Sequence, residues 1–137
     1  MTSLANAMSL RILVVDDHAV VRQGLKSLLR CHHGWEVVDE AEDGAEAVEK
    51  AELLRPDVVV LDLSMPRMNG LEACRKIHKN LPESEILIVT QHDSPQMMHE
   101  ALNANASGYV VKSDVGRDLV AAVDAVSQHK VFWPRVA

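Results

Sequence analysis

The sequence predicts an α/β fold, a doubly wound parallel sheet in a three-layer α/β/α sandwich, on three observations. Five short runs rich in Val, Ile and Leu alternate with segments of helical period between Leu10 and Val126. Most of the runs are apolar almost throughout rather than at every second position, as strands buried on both faces must be. Strict alternation of strand and helix, joined by right-handed crossovers, leaves few other architectures. At 137 residues the chain can bury a core but is too short for a second full domain.

The first strand is read in LRILVV at 10–15. Val21, Leu25, Leu28 and Leu29 follow at i, i+4, i+7 and i+8, the apolar stripe of one helix. WEVVDE at 35–40 gives the second strand, and Ala47, Val48, Ala51 and Leu54 mark the second helix. DVVVLD at 57–62 is the third strand. Leu71, Cys74 and Ile77 mark the helix after it, where Gly70 is expected to permit a turn or helix entry. EILIVT at 85–90 precedes Ser94 and Pro95, which read as N-cap and first helical residue. Met97, Met98 and Leu102 are the expected inner face of that helix. SGYVVK at 107–112 is the fifth strand, and Ser113 or Asp114 is expected to cap a last helix with the stripe Val115, Leu119, Ala122, Val123 and Val126.

Composition narrows the function. Hydrophobic residues make up 47% of the chain and aromatics only 3%, so the core is aliphatic. A formal net charge of -6 argues against this segment gripping a nucleic-acid backbone and suits a site that attracts a cation. Cys31 and Cys74 suggest neither a disulfide framework nor a C-x-x-C metal site, which points to a reduced, cytoplasmic setting. Cys31, His32 and His33 are adjacent and lack a second ligand pair, so a solvated helix end is expected there. The opening MTSLANAMSL lacks the features of a signal peptide, and no run reaches membrane-spanning length. Residues 1–9 are expected to be a disordered leader, with the folded domain over 10–128.

In a parallel sheet the C-terminal ends of all strands share one edge, where ligands bind. That edge collects Asp16 and Asp17, Asp62, Thr90 and Lys112. Singly, each Asp has the ordinary reading of a turn residue or helix cap, and Lys112 that of a surface charge. Together, at the ends of four strands, they are hard to explain so. Three crowded carboxylates need protons or a cation. Magnesium takes one or two carboxylates, waters and phosphate oxygens. Asp62 can then serve as carboxylate nucleophile, Lys112 as a charge for phosphoryl oxygens and Thr90 as a hydrogen-bond donor. His18, beside the acidic pair, is the histidine best placed to influence the site, although helix-entry polarity is its default reading.

VVDDH at 14–18, VVVLDLSMPRMNGLEA at 58–73, IVTQH at 88–92 and ASGYVVKSD at 106–114, in that order and spacing, resemble the receiver domain of two-component response regulators. DDH before a VVRQGL helix, and Lys-Ser-Asp after the fifth strand, are most similar to the NarL/FixJ subgroup. The resemblance implies a five-stranded sheet in the flavodoxin-like order 2-1-3-4-5. It implies Asp62 as phosphorylation site, Asp17 as direct Mg2+ ligand, Asp16 acting through a metal-bound water, and the Ser64 carbonyl as a third ligand. Thr90 and Tyr109 resemble the switch pair, with Tyr109 turning inward on phosphorylation, and Lys112 the phosphoryl-binding lysine.

The implied partners are a sensor histidine kinase, a second copy of the chain in a phosphorylation-dependent homodimer, and DNA through a helix-turn-helix domain not in this chain. The tail at 129–137 is similar to the start of the linker to such a domain. The apolar fourth helix and Tyr109 border a partner surface in this family, which implies that part of the Met97, Met98 and Leu102 area is exposed for dimerisation rather than buried. No membrane partner is implied, and the chain is expected to be a signalling phosphoacceptor rather than an enzyme. Gln91 stands where a small residue is frequent, which should narrow the path to Asp62, and Ser113 stands where many receivers have proline.

Two other classes share this topology. A phosphatase of the haloacid dehalogenase type also uses an Asp nucleophile and magnesium, but its usual second Asp would fall at Ser64. A flavodoxin needs a glycine- or hydroxyl-rich phosphate loop after the first strand, and this chain has DDHAV there.

Overall fold

The computed structural model describes residues 9–134. Residues 1–8 of the expected leader and 135–137 of the expected linker lie outside the described residues. Five strands form one sheet: β1 (Leu10–Val15), β2 (Trp35–Ala41), β3 (Val58–Leu61), β4 (Glu85–Thr90) and β5 (Gly108–Val111). Their order is β2-β1-β3-β4-β5, and every neighbouring pair is parallel. Among the described residues four helices connect them, α1 (Ala19–Arg30), α2 (Gly44–Leu54), α3 (Gly70–Asn80) and α4 (Pro95–Asn103), and a fifth, α5 (Val115–Ser127), follows β5. Among the described residues no helix is long and apolar enough to cross a membrane.

The alternation of side chains along each strand divides the core in two. Ile12, Val14, Val58, Val60, Leu87, Val89 and Val110 face α1 and α5, meeting Leu25, Leu29, Leu119 and Val123. Leu13, Val15, Val59, Leu61, Ile86, Ile88 and Tyr109 face α2, α3 and α4, meeting Ala51, Cys74, Ile77 and Ala101. This two-sided burial is why β1, β3 and β4 lack a polar face. Edge strand β2 is mostly half-buried and can carry Glu36, Asp39 and Glu40.

Ser94 caps α4 as expected, its side chain accepting from the Met97 amide, and Asp43 and Asn69 cap α2 and α3 in the same way through the amides of Glu46 and Glu72. The expected cap at Ser113 or Asp114 is different. Lys112–Asp114 form a single 3-10 turn running directly into α5, and Asp114 makes no side-chain cap bond. Its backbone is not extended, with φ -106° and ψ 7°, so the carboxylate is not aimed at the first helical amides and pairs with Arg117 at 3.5 Å instead. On α4, Met97 and Met98 are half-buried against the core while Leu102 is 52% exposed, so the expected inner face includes only part of that set. Cys31 and His33 are exposed at the end of α1, and the His32 ring stacks on Trp35 at 3.8 Å.

Gly70 begins α3 for a reason other than turn geometry, since Gly34 alone among the described glycines has positive φ. A Cβ on Gly70 would lie 2.2 Å from the Asp62 carbonyl oxygen and 2.5 Å from Leu63 Cα. The helix therefore starts directly beneath the backbone that carries Asp62, an approach closed to any larger residue. Gly70→Ala is expected to cost about 1–3 kcal/mol through overpacking, read as a lower urea midpoint with an unchanged slope. A midpoint equal to the parent's would show that this backbone yields freely.

Candidate functional site

Asp16 and Asp62 stand one residue beyond β1 and β3, and the sheet's hydrogen bonding extends to both. The Asp16 amide donates to the Ala41 carbonyl and the Asp62 amide to the Val15 carbonyl, each at 3.1 Å. Both carboxylates are thereby held as firmly as the strands, and both are buried, at 0% and 2% exposure. Asp17 is half-buried beside them. Lys112, just past β5, brings its Nζ to 2.8 Å from Asp16 Oδ2 and 3.3 Å from Asp62 Oδ2. The contact with Asp16 is an ion pair in which Oδ2 accepts no hydrogen bond.

Burial pushes the Asp62 carboxyl above its usual range; the Lys112 charge opposes this and the Asp16 charge adds to it. Burial alone would lower Lys112, but contact with Asp16 and the charges of Asp62 and Asp16 outweigh it, and its pKa is raised. The ammonium stays charged, one cation among three carboxylates.

These carboxylates have the chemistry of a hard-cation site. Asp16, Asp17, His18 and Asp62 each offer an atom within 4.8 Å of the others. Asp16 Oδ2 and Asp17 Oδ1 are buried without a hydrogen bond, although the His18 ring Nδ1 lies 3.0 Å from the latter. Buried acceptors left so are costly unless something neutralises them. Oxygen donors in this number suit magnesium. His18 precedes α1 with no side-chain cap bond, its ring turned to Asp16 and Asp17.

Thr90 is fully buried at the end of β4, and its Oγ1 accepts a long 3.5 Å bond from the His92 amide. Among the described residues no hydrogen bond joins it directly to the carboxylates. The link runs through His92, whose Nε2 lies 2.7 Å from Ser64 Oγ, while the Ser64 amide approaches Asp62 Oδ1 at 3.4 Å. Tyr109 is fully buried, and its hydroxyl donates to the His92 carbonyl at 2.7 Å. Burial, with the charges of Asp93 and Asp62, pushes its phenol up to about 12. The ring already occupies the inward position that the resemblance associates with phosphorylation.

One support of the site escaped the sequence reading. Arg22 on α1 donates from Nη1 to the Asp16 carbonyl at 2.7 Å and from Nε to Glu40 Oε1 at 2.8 Å. Lys26, one turn on and only 5% exposed, grips the other Glu40 oxygen. Hydrogen bonds from Lys26 and Arg22 hold the Glu40 carboxyl below its usual range. The i, i+4 spacing of Arg22 and Lys26 was visible, but nothing local said that both point at β2. Gln91, flagged for its size, is exposed.

The comparisons agree with this geometry. Residues 12–124 match the family model described as the response regulator receiver domain. The chain belongs to that family. It is 38% identical over 130 residues to the response regulator protein VraR of Staphylococcus aureus, covering 94% of this chain and 62% of that protein. It is 36% identical over 128 residues to the transcriptional regulatory protein DegU of Brevibacillus brevis, covering 93% and 54%. The chain thus spans 54–62% of the length of these relatives. Among solved structures, a LuxR-family two-component response regulator from Aurantimonas superposes with TM-score 0.87 at 39% identity, over 90% of this chain and 89% of that one. The receiver domain of a putative NarL from Mycobacterium tuberculosis gives TM-score 0.84 at 32% identity, over 89% and 98%. These relatives place the chain with NarL/FixJ-type regulators.

Proposed function

We propose that Asp62 accepts a phosphoryl group from a sensor histidine kinase, with Mg2+ held by Asp17, Asp62 and the Ser64 carbonyl and by Asp16 through water. The observation that carries this reading is the clustering of Asp16, Asp17 and Asp62, two of them buried and sharing the ammonium of Lys112 while Asp17 has the His18 ring beside it. When bound, the cation would offset the carboxylate charge and that of the incoming phosphoryl oxygens. The carboxylate of Asp62 attacks phosphorus as the bond to the donor's imidazole nitrogen breaks, giving an acyl phosphate and free histidine. Lys112 exchanges part of its contact with Asp62 for the phosphoryl oxygens, and Thr90 donates its hydroxyl to one of them. Because these groups are prearranged, the domain assists its own phosphorylation and later hydrolysis.

The output we infer is a population shift rather than a new fold. Tyr109 is already inward, so a phosphoryl group would fix the ring by drawing Thr90 toward the site, favouring one of two surface states around α4, β5 and α5. The receiver unit at 10–128 would pass this state through a linker beginning at 129–137 to a helix-turn-helix domain, acting in the cytoplasm on DNA as a homodimer. Resemblance to transcription regulators supports that part.

Two measurements test the reading. Acetyl phosphate with magnesium is expected to add one phosphoryl group per chain by intact mass; no addition from either acetyl phosphate or a kinase overturns the acceptor role. Thr90→Ala should still accept the group, yet lose most of the beryllofluoride-induced amide shifts at Tyr109 and along Met97–Leu102. The full parental pattern in that variant would exclude Thr90 as the trigger.

A further inference from the structure

We propose that residues 131–134 form a sixth, edge strand docked on β5 and coupled to the carboxylate site through Tyr109, His92 and Ser64, so that the state of the site sets how tightly the chain beyond Lys130 is held. The coupling rests on the acceptor reading given above; the docking does not.

The chain is steered onto the β5 edge by its own turn. After α5, His129 takes a left-handed conformation with φ 63°, its amide donates to Val126 O at 3.0 Å, and its ring lies 2.9 Å from Glu85 Oε1 on β4. Phe132 then makes a parallel bridge to Gly108. The Tyr109 amide donates to Phe132 O at 2.8 Å, and the Phe132 amide donates to Ser107 O at 3.4 Å.

Side chains alternate as they do in a strand covered on both faces. Phe132 packs with the α1 and α5 core, and Trp133 with the opposite core. Gly108 leaves room for this approach, since a Cβ there would meet Phe132 O at 2.9 Å, Leu87 Cδ1 at 2.9 Å and Val126 Cγ1 at 3.2 Å. Without the segment, the Tyr109 amide would be an open donor on a sheet edge, the template that extended segments use for strand addition.

The same tyrosine joins edge to site. Trp133 stacks on the Tyr109 ring at 5.9 Å with planes 24° apart, and the Tyr109 hydroxyl holds the His92 carbonyl. The His92 ring meets Ser64 Oγ at 2.7 Å, two residues past Asp62. Any change that moves Ser64 or His92 therefore acts on the ring against which Trp133 lies. One of the two backbone bonds that dock the segment is long, so the strap is a low-stability element that a modest bias can shift.

The test is amide hydrogen exchange and indole NMR on the full chain and three variants. Trp133→Ala is expected to speed Tyr109 amide exchange about tenfold, with the amides of β1 and β3 unchanged as evidence of an intact fold. Ser64→Ala and Tyr109→Phe should each move the Trp133 indole resonance of the parent and speed the same amide several-fold. Magnesium with beryllofluoride should move it again in the parent. A Tyr109 amide indifferent to Trp133→Ala overturns the docking. A Trp133 resonance indifferent to Ser64→Ala and Tyr109→Phe overturns the coupling, as does beryllofluoride that shifts Asp62 and Lys112 but leaves Trp133 in place. Beryllofluoride that shifts nothing at Asp62 and Lys112 counts against the acceptor reading, while the exchange and variant measurements still decide docking and coupling.

Discussion

Asp62→Asn is expected to abolish phosphoryl incorporation from acetyl phosphate, at least roughly a hundredfold in rate, equivalent to about 2.7 kcal/mol of barrier. Asparagine has the shape of aspartate and can keep an oxygen facing Lys112, but its amide is a far weaker nucleophile than a carboxylate. The substitution should not unfold the protein. Burial has already pushed the Asp62 carboxyl upward, which means that its ionised form is costly in the folded state. Replacing it with a neutral isostere relieves that cost and removes one of three crowded charges. Melting temperature equal to or above the parent's, together with loss of the phosphoryl mass, is the expected pair of results. An unchanged mass gain would mean that Asp16 or Asp17 is the acceptor, because both lie in the same cluster.

Much of this was legible because the site sits where the sequence pattern changes character. Asp62 and Asp16 each end an apolar run, so the residue that leaves the strand and the residue that enters the site are the same. Lys112 and Thr90 follow the same rule on their own strands, and parallel pairing brings all four strand ends to one edge. Ser94 and Pro95 announced α4 because capping is a local interaction.

What stayed hidden depends on contacts between elements distant in sequence. The brace from Arg22 to the Asp16 carbonyl requires Glu40 on β2 and Lys26 to hold it, and no periodicity reports a shared partner. The reason for Gly70 lies in the Asp62 backbone beneath it rather than in its own torsion angles. Ser113 and Asp114 have the composition of a cap, but the 3-10 turn that starts at Lys112 fixes their backbone before a cap can form. The bridge from Phe132 to Gly108 was hidden in the same way, because a lone pairing beside an edge strand leaves no periodic trace.

Magnesium is expected to stabilise the parent markedly and Asp17→Asn much less. A ligand that binds only the native state adds about 2.7 kcal/mol at a hundredfold excess over its Kd, roughly 10 °C in melting temperature for a domain of this size. Lys112 is shared between Asp16 and Asp62, which leaves the buried Asp17 Oδ1 with the His18 ring and no hydrogen bond. Removing the Asp17 charge should therefore leave the magnesium-free protein as stable as the parent, or more so, while taking away a ligand. The pH dependence has a definite sign. With its folded value raised above 3.8, Asp62 destabilises the native state progressively as pH rises from the unfolded value through the raised one. The cation offsets that cost where Asp62 is ionised and competes with a proton where it is not. The thermal response should accordingly be full near pH 7 and shrink as pH falls toward 4, with sodium chloride at matched ionic strength giving little of it. Equal responses in parent and Asp17→Asn would remove Asp17 from the ligand set, and a parent response as large at pH 4 as at pH 7 would place the ion somewhere other than on these carboxylates.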